Sequence, residues 1–198
     1  MNFLAHAYLS GDSEELLIGN FIADAVKGSA INNYSGKIKE GILLHRSIDA
    51  FTDSHPVVRT SIERLRPDYH KYSGVLVDIF YDHFLAKNWN RHSNIELKVF
   101  AARVYSIMQN NYAQLPQRSQ QLLPYMIRFD WLTNYAHLEG IQRVLNGMSR
   151  RTTFVSNMEK AVKNLVNNYA EFEAEFNAFF PELLQHSEKF INGSSLAL

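Results

Sequence analysis

The chain contains no cysteine, and no apolar run approaches the roughly 18 residues that span a bilayer. The absence of cysteine excludes disulfides, thiolate chemistry and cysteine-based zinc sites, so any metal must be held by histidine nitrogen and carboxylate oxygen. The N-terminal segment also lacks the basic region and long apolar run of a secretory signal. We therefore expect a cytoplasmic protein without a membrane partner.

Neither sign of charge is in excess, because 20 Lys and Arg balance 20 Asp and Glu. Nucleic-acid-binding domains usually carry a basic excess, so we expect no nucleic-acid partner. The charges are unevenly distributed, however. Four basic residues (Arg59, Arg64, Arg66 and Lys71) lie close together, whereas the C-terminal segment is acidic. This asymmetry could orient an acidic partner.

Glycine and proline are scarce, with 9 and 5 copies, and most of them fall between segments of helical period. No alternating strand pattern, internal repeat or long linker interrupts these segments. A chain of 198 residues is long enough to bury a sizeable core. We therefore predict an all-α fold in which residues 1–198 form a single-domain helical bundle.

The apolar periodicity also predicts where the helices lie. Pro56 fits the first turn of one helix, with Asp53 or Ser54 as its cap. Pro181 should kink or break the long C-terminal helical segment. The other predicted helices cover residues 14–27, 35–51, 73–89, 95–113, 117–129, 134–146 and 152–191.

Several of these helices place an acid or an imidazole among apolar residues. Asp24 and Asp78 each interrupt an apolar run, and burying a carboxylate is costly unless it is paired or bound to metal. His45 and Asp49 are four residues apart, as are Asp78 and Asp82, so each pair shares one helical face. His45 and Asp49 could therefore reach one metal ion from consecutive turns.

Each of these residues also has a purely structural interpretation. His45 and Asp49 could form a surface pair, Asp78 and Asp82 a polar stripe facing water, and His6 a satisfied core histidine. Convergence of several helices instead favours a metal site. Imidazole and carboxylate ligands without thiolate suit Mn²⁺, Fe²⁺ or Mg²⁺, and also zinc. Such an ion supports hydrolysis of a phosphoester.

Other polar residues have weaker signals. Arg150 and Arg151 could grip a phosphate group or could be solvated charges of a loop between two helices. The five remaining histidines fall in loops or near helix ends, and we expect all of them at the surface. They are His55, His70, His92, His137 and His186.

Four sequence blocks, found in this order, resemble the acyl carrier protein phosphodiesterase family. They are Met1–His6 with Gly19–Asp24, Gly41–Asp49 with Thr52-Asp53, Asp78–Leu85 with Trp89, and Leu145–Arg151. The resemblance implies an all-α fold related to the HD-type metal-dependent phosphohydrolases. It also implies removal of 4′-phosphopantetheine from the serine of holo-acyl carrier protein, with Mn²⁺ as cofactor. Acyl carrier proteins are small and strongly acidic.

The adjacent His-Asp pair of HD enzymes is not obvious here, because Asp82-His83 has the reverse order. With the resemblance, the residues lead to a specific hypothesis for the site. The predicted metal ligands are Asp24, His45, Asp49 and Asp82, with His6 close to them as a further ligand. The predicted catalytic residues are His83, Asp78 and Arg46, of which His83 would shuttle protons or orient a ligand. The predicted phosphate- and partner-binding residues are Arg150, Arg151, Arg59 and Arg64.

Two alternative functions remain open from the sequence. One is an HD-type phosphohydrolase that acts on a nucleotide or another small phosphoester. The other is a non-catalytic helical module that binds an acidic protein and uses its His and Asp groups only for structure. Metal content distinguishes the second alternative from the enzymes, since a binding module need not hold metal.

Overall fold

The described part of the chain, residues 2–195, is all-helical in this computed structural model. This confirms the predicted fold class. Within these residues there are eleven α-helices and no strand. The helices are α1 (Phe3–Leu9), α2 (Glu14–Ile22), α3 (Gly36–Ser54), α4 (Pro56–Tyr69), α5 (Ser73–Lys87), α6 (Leu97–Asn110), α7 (Gln117–Arg128), α8 (Trp131–Asn134), α9 (Leu138–Ser149), α10 (Ala161–Asn167) and α11 (Tyr169–Ser195).

Two sequence-based expectations about helix ends, the cap of α4 and a break at Pro181, are wrong. Helix α3 continues through Ser54, so α4 begins after His55 with Pro56 in its first turn, and neither Asp53 nor Ser54 is its cap. The C-terminal segment is not one helix that Pro181 interrupts. Its break lies near Asn168, between α10 and α11, and α11 runs through Pro181.

Packing explains why α11 tolerates Pro181. The helix lies along α3, α4 and α5 and buries a row of phenylalanines against them. Phe172 packs edge to face on Phe80 of α5, with ring centroids 5.3 Å apart, and Phe176 packs on Tyr81 at 5.7 Å. These aromatic contacts outweigh the backbone hydrogen bond that a proline removes. No helix within residues 2–195 combines the length and apolarity needed to cross a membrane.

Helices α2 and α3 cross with their backbones in contact. A Cβ atom added to Gly19 would lie 2.0 Å from the carbonyl oxygen of Ile38, and one added to Gly41 would lie 2.3 Å from that of Leu16. Only glycine fits at such an approach, because interiors are too closely packed to move backbone aside. The contact sets the spacing between residues that follow both glycines, Asn20 and His45.

We expect Gly41→Ala to destabilise the protein by about 2 kcal/mol or more, because the new methyl group must push α2 and α3 apart. Urea unfolding followed by circular dichroism measures this change. Gly147→Ala, within α9, is the matched control, since its Cβ meets no atom within 4 Å. That variant should be neutral or more stable by roughly 0.5–1 kcal/mol. Equal stabilities for the two variants would contradict the close-contact interpretation.

Candidate metal centre

The first three helices and the turn after α2 bring two histidines and two aspartates together. Asp49 faces both imidazoles, with Oδ1 3.2 Å from Nε2 of His6 and Oδ2 3.1 Å from Nε2 of His45. Asp24 approaches the same His45 atom at 3.6 Å. Ligand atoms of His6, His45 and Asp49 all lie within 4.8 Å of one another. These four residues are called the metal cluster below.

The donor set and its burial fit a divalent cation. The rings of His6 and His45 stack with centroids 4.0 Å apart, and both side chains are buried. Within the described residues, Nε2 of His6 is buried and makes no hydrogen bond of acceptable geometry, although it faces Asp49. Two imidazole nitrogens and two carboxylates suit Mn²⁺, Fe²⁺, Mg²⁺ or Zn²⁺.

The electrostatics of the metal cluster favour positive charge at its centre. Burial lowers the pKa of His45, but the nearby carboxylates of Asp24 and Asp49 outweigh this effect and raise it to about 9. The two histidines hold the pKa of Asp49 well below its usual range, despite burial. Burial lowers the pKa of His6 more than its contact with Asp49 raises it. In the metal-free protein, the His45 proton therefore occupies the place of a cation.

Asn20 contacts both histidines of the metal cluster through the ring nitrogens that face away from Asp49, and the sequence hypothesis missed it. Its Oδ1 lies 2.8 Å from Nδ1 of His6 and 3.0 Å from Nδ1 of His45. Its Nδ2 donates to the backbone oxygen of His6 and to Oγ of Ser10, both at 3.0 Å. A fully buried amide on an apolar helix has the same desolvation problem as a buried acid, and this signal could have identified it.

The turn that follows α2 carries Asp24 to the edge of the metal cluster. Its side chain is 73% exposed, and the contact with His45 lowers the pKa of the carboxyl group more than burial raises it. Arg46 holds this turn in place, since its Nη2 donates to the backbone oxygen of Val26 at 3.0 Å. The predicted catalytic residue Arg46 is therefore next to the cluster, both along the chain and through this contact.

The metal cluster forms one wall of a cavity of about 300 Å³. Asp53 and Asp78 also line the polar side, which places the predicted catalytic residue Asp78 on the same cavity. Burial raises the pKa of Asp53, and the charges of Asp78 and Asp49 raise it further. Helices α6, α7 and α8 contribute apolar side chains to the lining, namely Val104, Met108, Leu123, Met126 and Leu132.

Asp82 does not join the metal cluster, contrary to the sequence hypothesis. Its fully buried carboxylate accepts backbone N–H groups of Asn2, Leu4 and Ala5 at 3.3, 2.8 and 3.3 Å. Burial raises the pKa of Asp82 to about 7, although these hydrogen bonds act in the opposite direction. The N–H donors at the start of α1 therefore offset part of the cost of burying this carboxylate, the cost that had suggested a metal.

His83 also lies away from the metal cluster. Its Nδ1 lies 2.8 Å from the backbone oxygen of Tyr135 and its Nε2 lies 2.8 Å from the hydroxyl of Tyr169, which also accepts from Lys87. His83, Lys87 and Tyr169 line a separate, shallow depression. Because adjacent residues on a helix point about 100° apart, the side chains of Asp82 and His83 serve different parts of the fold. This placement gives no support to His83 as a proton shuttle for the cluster.

The predicted phosphate- and partner-binding arginines have different surroundings. Arg64 makes hydrogen bonds of 2.7 and 2.6 Å to the two oxygens of Glu175 and so joins α4 to α11. Arg59 is exposed, as are Arg150 and Arg151 just after α9. Among residues 2–195, the lining of the cavity includes none of these four arginines. Within these residues, Arg64 is the one of the four whose guanidinium pairs with a carboxylate, that of Glu175, so we do not expect it to bind a partner.

The expectation that all five remaining histidines lie at the surface is wrong. His70 and His137 are exposed, but His55 is buried and His92 and His186 are half-buried. Helix α11 packs on two of them, with ring centroids 4.9 Å apart for Phe179 and His55 and 5.1 Å apart for Phe180 and His92, whereas His186 is itself part of α11. Contacts between α11 and the rest of the fold, which local sequence patterns do not show, therefore bury or half-bury all three.

The fold and the metal cluster define an all-helical protein with a histidine–aspartate site of the kind that holds a divalent metal ion. A family model described as acyl carrier protein phosphodiesterase matches residues 1–183, and the chain belongs to this family. A relative from Photorhabdus laumondii is 33% identical over 189 residues, which cover 95% of this chain and 96% of the relative. One from Pectobacterium atrosepticum is 34% identical over 186 residues (93% and 96%). Both are named acyl carrier protein phosphodiesterase. No solved structure matches the chain.

Proposed function

We propose that this protein hydrolyses the phosphodiester that joins 4′-phosphopantetheine to the serine of holo-acyl carrier protein. The products are apo-acyl carrier protein and 4′-phosphopantetheine. Family membership and the names of the relatives support the substrate. The observation that carries the proposal is the metal cluster on the wall of a cavity, since His and Asp ligands suit metal-assisted phosphoester hydrolysis. Mn²⁺ is the proposed metal, with Mg²⁺ or Fe²⁺ as alternatives.

The proposed roles follow from the contacts of each residue. His6, His45, Asp49 and Asp24 would hold the metal, with one Asp49 oxygen directed at each imidazole. A divalent cation bound there would polarise a phosphoryl oxygen and lower the pKa of a bound water. Asp82 is proposed here as a support of α1 rather than as a ligand, since backbone amides occupy its oxygens.

Two residues near the metal cluster are proposed to act on the substrate. Arg46 would neutralise phosphate charge. A guanidinium has five N–H donors, and within residues 2–195 that of Arg46 donates one hydrogen bond, to the backbone oxygen of Val26. Asp78 faces the same cavity as the metal cluster, where its carboxylate would accept a proton.

Mass spectrometry of the substrate tests the proposed function. The protein is incubated with holo-acyl carrier protein and Mn²⁺, and the carrier protein should lose the mass of its prosthetic group. Samples with a chelator, and samples in which a nucleotide replaces the carrier protein, should show no turnover. An intact holo mass at saturating Mn²⁺ would refute the proposal. Turnover of the nucleotide alone would favour an enzyme that acts on small phosphoesters.

Metal affinity should increase with pH. The His45 pKa of about 9 means that its imidazole carries a proton at neutral pH, and this proton must leave before the nitrogen binds metal. The Kd for Mn²⁺ should therefore fall about tenfold per pH unit below this pKa and level off above it. Titration calorimetry at several pH values measures this slope. An affinity that is constant between about pH 6.5 and 8.5 would show that no such proton is displaced.

Exposed arginines are proposed to dock the acidic carrier protein. Arg64 is paired with Glu175 and is therefore left unchanged. The variants that test docking are Arg59→Glu and the double variant Arg150→Glu with Arg151→Glu. Either should lower kcat/KM for the carrier protein by roughly three- to tenfold at low salt, and less at high salt, since steering by surface charge is screened. A small phosphodiester serves as the control substrate. Equal losses on both substrates would place these arginines outside docking.

A further inference from the structure

We infer that Asn20 is a positioning residue that fixes the tautomer of both His6 and His45, so that both Nε2 lone pairs point at the centre of the metal cluster. The inference rests on the proposed function only in that the group expected at this centre is a divalent metal. The direction of the two imidazoles can be tested in the metal-free protein.

The first step is the orientation of the Asn20 amide. One end of this amide lies 3.0 Å from the backbone oxygen of His6 and 3.0 Å from Oγ of Ser10. A backbone oxygen can only accept hydrogen bonds, so the amide nitrogen must be at this end. Ser10 gives its own proton to the same His6 oxygen, at 2.8 Å, and so Oγ is available to accept from Asn20. The oxygen of the amide therefore faces the two rings.

The second step concerns the protons on the histidines. Oδ1 of Asn20 has only lone pairs to offer, and it lies 2.8 Å from Nδ1 of His6 and 3.0 Å from Nδ1 of His45. Both Nδ1 atoms must therefore carry a proton. In a neutral imidazole the proton on Nδ1 leaves a lone pair on Nε2, which is the atom that can bind a metal.

The two Nε2 lone pairs are directed at the same carboxylate. Both Nε2 atoms face the carboxylate of Asp49, at 3.2 Å for His6 and 3.1 Å for His45. A lone pair directed at a carboxylate is unfavourable unless a cation lies between them. This accounts for the buried Nε2 of His6 that, within residues 2–195, makes no hydrogen bond. One amide oxygen thus sets two metal ligands at once.

Burial makes this control effective. Asn20 is 1% exposed, so water does not compete for Oδ1. The glycine contact between α2 and α3 brings Asn20 within reach of His45, while α1 brings His6. A side chain that lacked an acceptor here would allow the common alternative tautomer, with the proton on Nε2. Each histidine would then present an N–H group to the metal instead of a lone pair.

Nitrogen-15 NMR of histidine-labelled protein tests the inference, because the shifts of Nδ1 and Nε2 distinguish the two tautomers. The metal-free wild-type protein is measured at a pH high enough that the nitrogen shifts themselves show both rings to be neutral. Both rings are expected as the Nδ1–H tautomer. A proton on Nε2 of either ring would overturn the inference. Both rings as Nδ1–H in a protein that binds no Mn²⁺ would uphold it and refute the proposed metal.

Variants separate the acceptor from the packing of the side chain. Asn20→Leu should mix the tautomers and weaken Mn²⁺ binding by roughly 10–100-fold. Asn20→Asp keeps an acceptor toward the rings and should retain the wild-type tautomers, even if losing the Nδ2 donor lowers stability. Ser10→Ala is the matched control, since it removes a buried hydrogen bond of Asn20 but not the ring acceptor. Both rings should keep the wild-type tautomer, and the Mn²⁺ affinity should change by no more than about threefold.

The contrary results are equally specific. Wild-type tautomers and Mn²⁺ affinity in Asn20→Leu would overturn the inference, as would mixed tautomers in Ser10→Ala at wild-type Asn20. If Asn20→Leu does not fold, the wild-type spectrum and the Asn20→Asp spectrum still decide the matter, because each reports the ring protons directly.

Discussion

Asp49→Ala is expected to abolish Mn²⁺ binding and to lower turnover of holo-acyl carrier protein by on the order of 10³-fold or more. Asp49 is the residue that faces both imidazoles, so its removal leaves His6 and His45 without their shared carboxylate. The helices should persist, since the Asp49 side chain is 43% exposed and its removal opens no cavity in the core. Calorimetry with Mn²⁺, circular dichroism and the mass assay measure the three quantities.

Asp53→Ala is the matched control for this change. Asp53 lies one turn further along α3 and lines the same cavity, but no described contact joins it to the two histidines. Its loss should change Mn²⁺ affinity by no more than about threefold, as for an exposed charge near a cation. Retained turnover in Asp49→Ala at equal metal loading would remove Asp49 from the site. Equal loss of affinity in both variants would mean that only the total negative charge of the cavity matters.

Asp82→Ala is expected to lower the free energy of unfolding by about 2–5 kcal/mol, because three backbone N–H groups at the start of α1 lose their acceptor. Urea unfolding measures the loss. Asp24→Ala is the comparison, since that side chain is 73% exposed and should cost no more than about 1 kcal/mol. Asp24→Ala should instead weaken Mn²⁺ binding.

The opposite pattern for Asp82→Ala would restore the hypothesis drawn from the sequence. A variant with wild-type stability and no Mn²⁺ binding would mean that Asp82 is a ligand and that the amides of α1 do not depend on it. A variant that is destabilised but binds Mn²⁺ when folded would agree with the role described above.

The sequence predicted the fold class and most helix positions because apolar spacing is a local signal. The predicted helix over residues 73–89 is α5, Ser73–Lys87, for example. It did not predict that α11 continues through Pro181, since the aromatic contacts that hold this helix come from α5, far away in the chain. The spacing of apolar residues within a segment does not show which distant segment it will pack against.

For the site, local signals identified residues that the structure brings together. His45 and Asp49 were suggested by their spacing of four, and Asp24 by its apolar neighbours. The same reasoning led to Asp82. A buried carboxylate needs a partner, but the sequence does not show whether this partner is a metal ion or a set of backbone N–H groups. The partners of Asp82 are amides 77 or more positions away. Asn20 was missed because an amide carries no charge to draw attention to it.

The brevity of α1 has a consequence for the whole protein. A helix of seven residues is far too short to be stable by itself, so its position is imposed from outside. Asp82 of α5 holds its beginning, and Asn20 of α2 holds the backbone oxygen of His6 at its centre. The register of His6 is therefore set jointly by two helices that belong to different parts of the chain. A change in the centre of α5 can reach the metal cluster through α1 without contacting any ligand.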